Sequence, residues 1–174
     1  MTATHDFSLP SDLGRARIQG LPSTAYYVSN FISPEEERLI LEKIDIDEAH
    51  PTQDGTAYWP VVCTVSLGAS LCLNLHRSRE DGALDPNPAW RILQEPRSLL
   101  ITADTLYTDY LHGIADIEED VDLSADSIAN WSLLRDPQLY TDGRNIRATR
   151  TSLTYRDVLK VSKIGSKLNM LLKR

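Results

Sequence analysis

The chain has 174 residues, 41% hydrophobic and 25% charged, which supplies the core of one globular domain and excludes disorder throughout. A net charge of −7 and a pI near 5.0 exclude nucleic-acid binding by bulk charge, so any phosphate contact has to come from a local basic patch. Two cysteines, Cys63 and Cys72, make no disulfide framework, and the start MTATHDFSLPSDLG has neither the basic opening nor the apolar run of a secretory signal; a reduced, soluble protein of cytoplasm and/or nucleus, without membrane contact, is expected.

Residues 1–25 are rich in Ser, Pro, Gly and Thr without a sustained period, and are expected to form an extended arm, with order beginning near Tyr26. In SPEEERLILEKI, Ser33 can cap a helix, Pro34 fits its first turn, Glu36 completes a capping box and Glu35 to Glu37 suit the positive dipole end. Leu39, Ile40 and Ile44 then make a short apolar stripe. PVVCTVSLG and SLCLNL read as strands, and GAS between them as the turn of a hairpin. Val61, Cys63, Val65 and Leu67 share one strand face; Leu71, Leu73 and Leu75 share another, opposite Cys72 and Asn74.

HRSREDGALDPNPAW reads as a polar loop, EPRSLLITA as a further strand and TLYTDYLHGI as an irregular or helical crossing that ends near His112. Residues 115–149 carry six acids between Asp116 and Asp126 and read as a long exposed insertion with one helical turn near SIANWSLL. These acids lack EF-hand spacing and its glycine, which speaks against a calcium loop. A final strand spans ATRTSLTYRDVLKV, and the basic tail KIGSKLNMLLKR follows. That tail can touch nucleic acid or serve as a solvated helix face; its lack of interleaved aromatics favours the second use. Tyr58 and Trp59 can stack on a base, although aromatics at a strand start belong more often to the core.

The chemistry-bearing residues are an acid after a turn, Asp54, a histidine after a crossing, His112, and two late arginines, Arg150 and Arg156. Two imidazoles and one carboxylate make the facial triad of non-haem Fe(II) oxygenases, which leaves positions open for a chelating co-substrate and O2. In a strand, Arg150, Ser152, Thr154 and Arg156 face one way and Thr151, Leu153 and Tyr155 the other, and a guanidinium on an inward face calls for a carboxylate. Taken singly, His112 also fits a surface or core histidine, and the arginines fit surface ion pairs.

The ordered segments DGTAYWPVVCTVSLG from Asp54, EPRSLLI from Glu95, LHGI from Leu111 and RTSLTYR from Arg150 resemble the AlkB-type 2-oxoglutarate dioxygenases, most closely the AlkB homologue six subgroup. The likeness covers most of residues 20–165. It implies a mainly β fold, a double-stranded β-helix or jelly roll with an N-terminal helix and with strands missing from the shortened N-terminal half. It implies a domain over residues 26–165 with an acidic insertion at 115–149 and a basic tail at 166–174. It also implies Fe(II) held by Asp54 and His112, with 2-oxoglutarate clamped by Arg150 at its far carboxylate and by Arg156 nearer the metal. The implied reaction oxidises 2-oxoglutarate to succinate and CO2 with O2 and hydroxylates a substrate C–H bond; hydroxylated N-methyl groups leave as formaldehyde. Methylated nucleic acid or protein is the implied substrate.

The sequence departs from the family pattern at the His-x-Asp motif. Two residues apart on one strand face, such side chains lie roughly 6 to 7 Å apart along the backbone. Aligned on Asp54, the histidine position holds Thr52, a poor neutral ligand. His50 can substitute only across a turn, because four extended residues span about 13 Å. Pro51 and Gly55 allow that turn, so His50 is the third candidate ligand. The competing expectation is a catalytically impaired AlkB-like binding or scaffold protein with an incomplete iron site; an unrelated β-sandwich comes third.

Overall fold

The computed structural model describes residues 13–22, 24–44, 58–77 and 85–157. Among the described residues nine strands dominate: β1 (Ala25–Val28), β2 (Val61–Leu67), β3 (Leu71–Arg77), β4 (Trp90–Gln94), β5 (Leu99–Ala103), β6 (Tyr110–Gly113), β7 (Glu119–Asp120), β8 (Asn145–Ile146) and β9 (Thr151–Tyr155). The α-helices among the described residues are α1 (Pro34–Lys43) and the four-residue α2 (Thr105–Thr108). The fold is thus mainly β. Its sheets are antiparallel throughout: a large one in the order β1-β5-β2-β9, a small one in the order β4-β3-β6, and a β7-β8 ribbon.

Helix α1 starts as its sequence dictates. The Ser33 side chain accepts from the Glu36 backbone N–H (3.2 Å), while Ser33 N donates back to the Glu36 carboxylate (2.9 Å), closing the capping box. Its apolar stripe differs from expectation by one position: Ile40, Leu41 and Ile44 pack on Val65, Leu67 and Leu99, whereas Leu39 is exposed. Glu37 fixes the helix laterally, accepting from Gly68 N (2.8 Å) and from Arg97 (3.0 Å).

Alternation along β5 separates two cores. Leu99 belongs to the cluster beneath α1. Leu100 joins Ala25 and Tyr27 in a second cluster with Leu73, Leu75 and Ile92 of the small sheet. The two sheets therefore bury apolar faces against each other, with α1 covering the back of the large one. Residues 13–22, expected within the arm, fold onto β1. Ile18 donates to the Ala25 carbonyl (2.9 Å) and is 2% exposed, because a lone apolar residue gains by completing this core.

The expected hairpin between β2 and β3 does not form. β2 pairs with β5 and β9, whereas β3 pairs with β4 and β6, so the chain crosses from one sheet to the other at residues 68–70. Leu71, Cys72 and Leu73 are buried in succession, which requires cover on both strand faces. The crossing depends on Gly68 at φ +82°, where an added Cβ would lie 2.7 Å from the Thr149 carbonyl oxygen. Gly68→Ala is expected to lose roughly 2–4 kcal/mol through combined backbone strain and clash. A fall in the urea midpoint at unchanged slope checks this.

Trp90, expected in a polar loop, instead opens β4, WRILQ. Asn130, fully buried, covers the edge of β4 by accepting from Leu93 N (2.9 Å) and donating to Leu93 O (2.8 Å). The acidic segment 115–149 is only partly exposed: Asp116, Glu118, Asp122 and Asp126 face solvent, but other residues enter the core. Leu123, Ile128, Leu134 and Tyr140 are buried in the larger core, and Asp120, 1% exposed, accepts from Cys72 N (3.3 Å), Asn145 (2.9 Å) and both Nε and Nη2 of Arg147 (3.2 and 2.7 Å). The expected helical turn near SIANWSLL is a single 3-10 turn, Trp131–Leu133. Among the described residues no helix is long and apolar enough to cross a membrane.

Candidate functional site

Arg150 immediately precedes β9. The β2–β9 register sets Ser152 opposite Ser66 and Thr154 opposite Thr64, while Leu153 lies opposite Val65 in the cluster under α1. Arg150 is therefore on the face that looks toward the small sheet, together with Ser152 and Thr154. Its Nε donates to Ser66 Oγ (2.8 Å) and its Nη2 to Gln94 Oε1 (3.1 Å). Ser66 is on β2 and Gln94 on β4, so the guanidinium bridges the two sheets. Both partners are almost wholly buried and both are neutral.

This pairing is unlike that of two other partly buried arginines, Arg97 and Arg147. Arg97 pairs with Glu37 at 3.0 Å and Arg147 with Asp120 at 2.7 Å. Among the described residues Arg150 has no such carboxylate, and burial pushes it down from the ordinary guanidinium range to about 10. A desolvated cation without a counterion is a site that gains by taking up an anion.

His112 sits on β6 opposite Leu75. Its Nε2 lies 2.8 Å from the Leu106 carbonyl oxygen in α2, so Nε2 carries the proton and donates, which leaves Nδ1 as the acceptor nitrogen. A backbone carbonyl holding one ring nitrogen is the usual support of a metal-ligating imidazole. The turn that presents this carbonyl begins at Asp104, a non-glycine residue at φ +55° and ψ −127°. Gln94 and His112 both flank β3, opposite Leu71 and Leu75 respectively. Residues opposite one another share a sheet face, so both line the same side of the small sheet, about 13 Å apart along the strand.

Arg156 follows β9 with its guanidinium 5.9 Å from the Tyr58 ring centroid, a cation–π contact, rather than beside Arg150's partners. Trp59, which strand-start aromatics would lead one to place in the core, is 57% exposed. His50, Thr52 and Asp54 lie outside the described residues, as does the tail 166–174. Among the described residues no group of three His, Cys, Asp or Glu side chains forms a metal-binding cluster. Ser66 and Gln94 are not singled out by the sequence alone. The available signal was a polar residue at the inward end of an otherwise apolar strand, in TVSLG and in WRILQ.

No family model matches the chain. Among curated proteins it is similar to the probable RNA/DNA demethylase ALKBH6 of Danio rerio, with 31% identity over 122 residues, covering 64% of this chain and 48% of that relative. The chain spans about half the length of the curated relative it matches. This likeness supports AlkB-like family membership.

Proposed function

We propose that this chain is an Fe(II)- and 2-oxoglutarate-dependent dioxygenase of the AlkB type, built on a jelly roll, that hydroxylates and thereby demethylates a nucleic-acid substrate. The observation that carries the reading is Arg150: a partly buried guanidinium between two sheets, held by two neutral side chains. It suits the far carboxylate of a small dicarboxylate, which its planar fork binds through parallel N–H bonds. Gln94 supports the fork from the small sheet and Ser66 from the large one. His112, its Nε2 proton committed to the Leu106 carbonyl, keeps Nδ1 for a metal on the same side of the small sheet. Asp54 and His50 are the further residues that would hold the iron, and Arg156 the second cation toward the co-substrate. Iron held there would supply the O2-dependent oxidation in which 2-oxoglutarate gives succinate and CO2 and a substrate C–H becomes C–OH. The name of the relative from Danio rerio supports a methylated nucleic acid as substrate. An overall acidic chain needs local contacts for such a partner, and the exposed Trp59 offers a stacking surface at the start of β2.

The test incubates the protein with Fe(II), 2-oxoglutarate, O2 and N-methylated oligonucleotides, and measures succinate and formaldehyde. The reading predicts both products, in equal amounts above an uncoupled background. Succinate at the protein-free level across methylated DNA and RNA would contradict it.

A further inference from the structure

We infer that Gln94 is the residue that keeps Arg150 able to bind an anion: it supplies a neutral hydrogen bond at a place where Arg97 and Arg147 are given a carboxylate. This rests on the reading of Arg150 as a carboxylate clamp and deepens it, since the amide of Gln94 becomes a determinant of anion affinity.

Two other partly buried guanidinium groups in this molecule receive a carboxylate, while those of Arg91 and Arg135 donate to backbone carbonyls. Asp120 faces Arg147 at 2.7 Å and Glu37 faces Arg97 at 3.0 Å. At Arg150 the equivalent position is taken by Gln94, whose Oε1 accepts from Nη2 at 3.1 Å. Glutamate has nearly the same shape, and its carboxylate oxygen would stand where Oε1 now stands. The difference is one unit of negative charge, placed beside a cation that burial has already pushed down in affinity for its proton. With glutamate there, the charge of Arg150 is satisfied from within and an arriving carboxylate meets a like charge. With glutamine the guanidinium is oriented, its geometry fixed from β4 on one side and by Ser66 Oγ on β2 at 2.8 Å on the other, yet its charge remains available. Gln94 is 2% exposed and Ser66 fully buried, so water does not replace either bond. Gln94 is a positioning residue that acts through Arg150, and its neutrality sets the sign of what the site accepts.

The experiment measures binding of glutarate, a dicarboxylate without the keto group that chelates a metal, to metal-free full-length protein by calorimetry, comparing the unaltered chain with Gln94→Glu and Gln94→Ala. Expected are saturable binding to the unaltered protein, a loss of at least about tenfold in Gln94→Glu, and a smaller loss in Gln94→Ala, which removes one bond but adds no charge. Gln94→Glu is also expected to melt no lower than the unaltered protein, because its carboxylate meets a buried cation. The inference is overturned if glutarate does not bind the unaltered chain, if Gln94→Glu binds as well as Gln94→Ala, or if Gln94→Glu fails to fold. If glutarate binds with this pattern but 2-oxoglutarate gains no affinity from added Fe(II), the anion site stands and the dioxygenase reading falls.

Discussion

Asp120→Ala is expected to destabilise the protein by about 3–5 kcal/mol, the range for removing one partner of a buried ion pair. The carboxylate is 1% exposed and accepts from the backbone of β3, from Asn145 and from two nitrogens of Arg147, itself only 13% exposed. Alanine leaves Arg147 without its counterion and Cys72 N without its acceptor. Against a total stability of roughly 5–15 kcal/mol for a domain of this kind, that loss removes a large part of the margin. Asp120→Asn preserves shape but not charge and is expected to fall between. Asp120→Leu combined with Arg147→Met is expected to recover much of the loss, because no charge is then stranded. Urea unfolding followed by tryptophan fluorescence reads all three, and an Asp120→Ala midpoint equal to that of the unaltered protein would contradict the assignment.

The second large effect falls on binding rather than on stability. Arg150→Met is expected to weaken 2-oxoglutarate by at least about a hundredfold, some 3 kcal/mol, in the range measured for truncating one member of a buried charge pair. The same change is expected to alter folding stability by no more than about 1 kcal/mol. Two terms oppose each other: Ser66 and Gln94 lose a hydrogen-bond partner, which costs stability, while an uncompensated cation is no longer buried, which returns it. The sign of the second term follows from the lowered affinity of Arg150 for its proton. The folded state holds that proton less tightly than the unfolded state does, so the charge lowers stability at all pH below about 10 and the penalty fades only as pH rises beyond it. Calorimetry for the ligand and thermal melting of the free protein separate the two effects. A variant that binds 2-oxoglutarate normally removes Arg150 from the site.

Much of this fold is written in local sequence, and the remainder depends on long-range pairing. The start of α1 is determined by Ser33, Pro34 and Glu36 within one turn, and it forms as those residues dictate. The strands at β2, β3, β5 and β9 follow from β-branched and apolar runs. Which strands pair does not follow, because a strand carries its period but not its neighbour: β2 and β3 are consecutive with a turn between them, yet they enter different sheets. The partial burial of segment 115–149 was hidden by its charge, since Asp120 counts as a solvated acid until Arg147 and Asn145, more than twenty residues later, are brought onto it. In the site, the inward face of Arg150 was legible from strand alternation. Its neutral partners were not, because Ser66 and Gln94 lie 84 and 56 residues away.

The proposed function requires that this one chain hold Fe(II) and 2-oxoglutarate together. The most direct measurement adds Fe(II) to the anaerobic protein with 2-oxoglutarate and records the visible spectrum. Expected is a metal-to-ligand charge-transfer band that saturates with 2-oxoglutarate, is lost in Arg150→Met at the same ligand concentration, and is lost in His112→Ala at any concentration. No band at millimolar 2-oxoglutarate, with the protein folded, would contradict it.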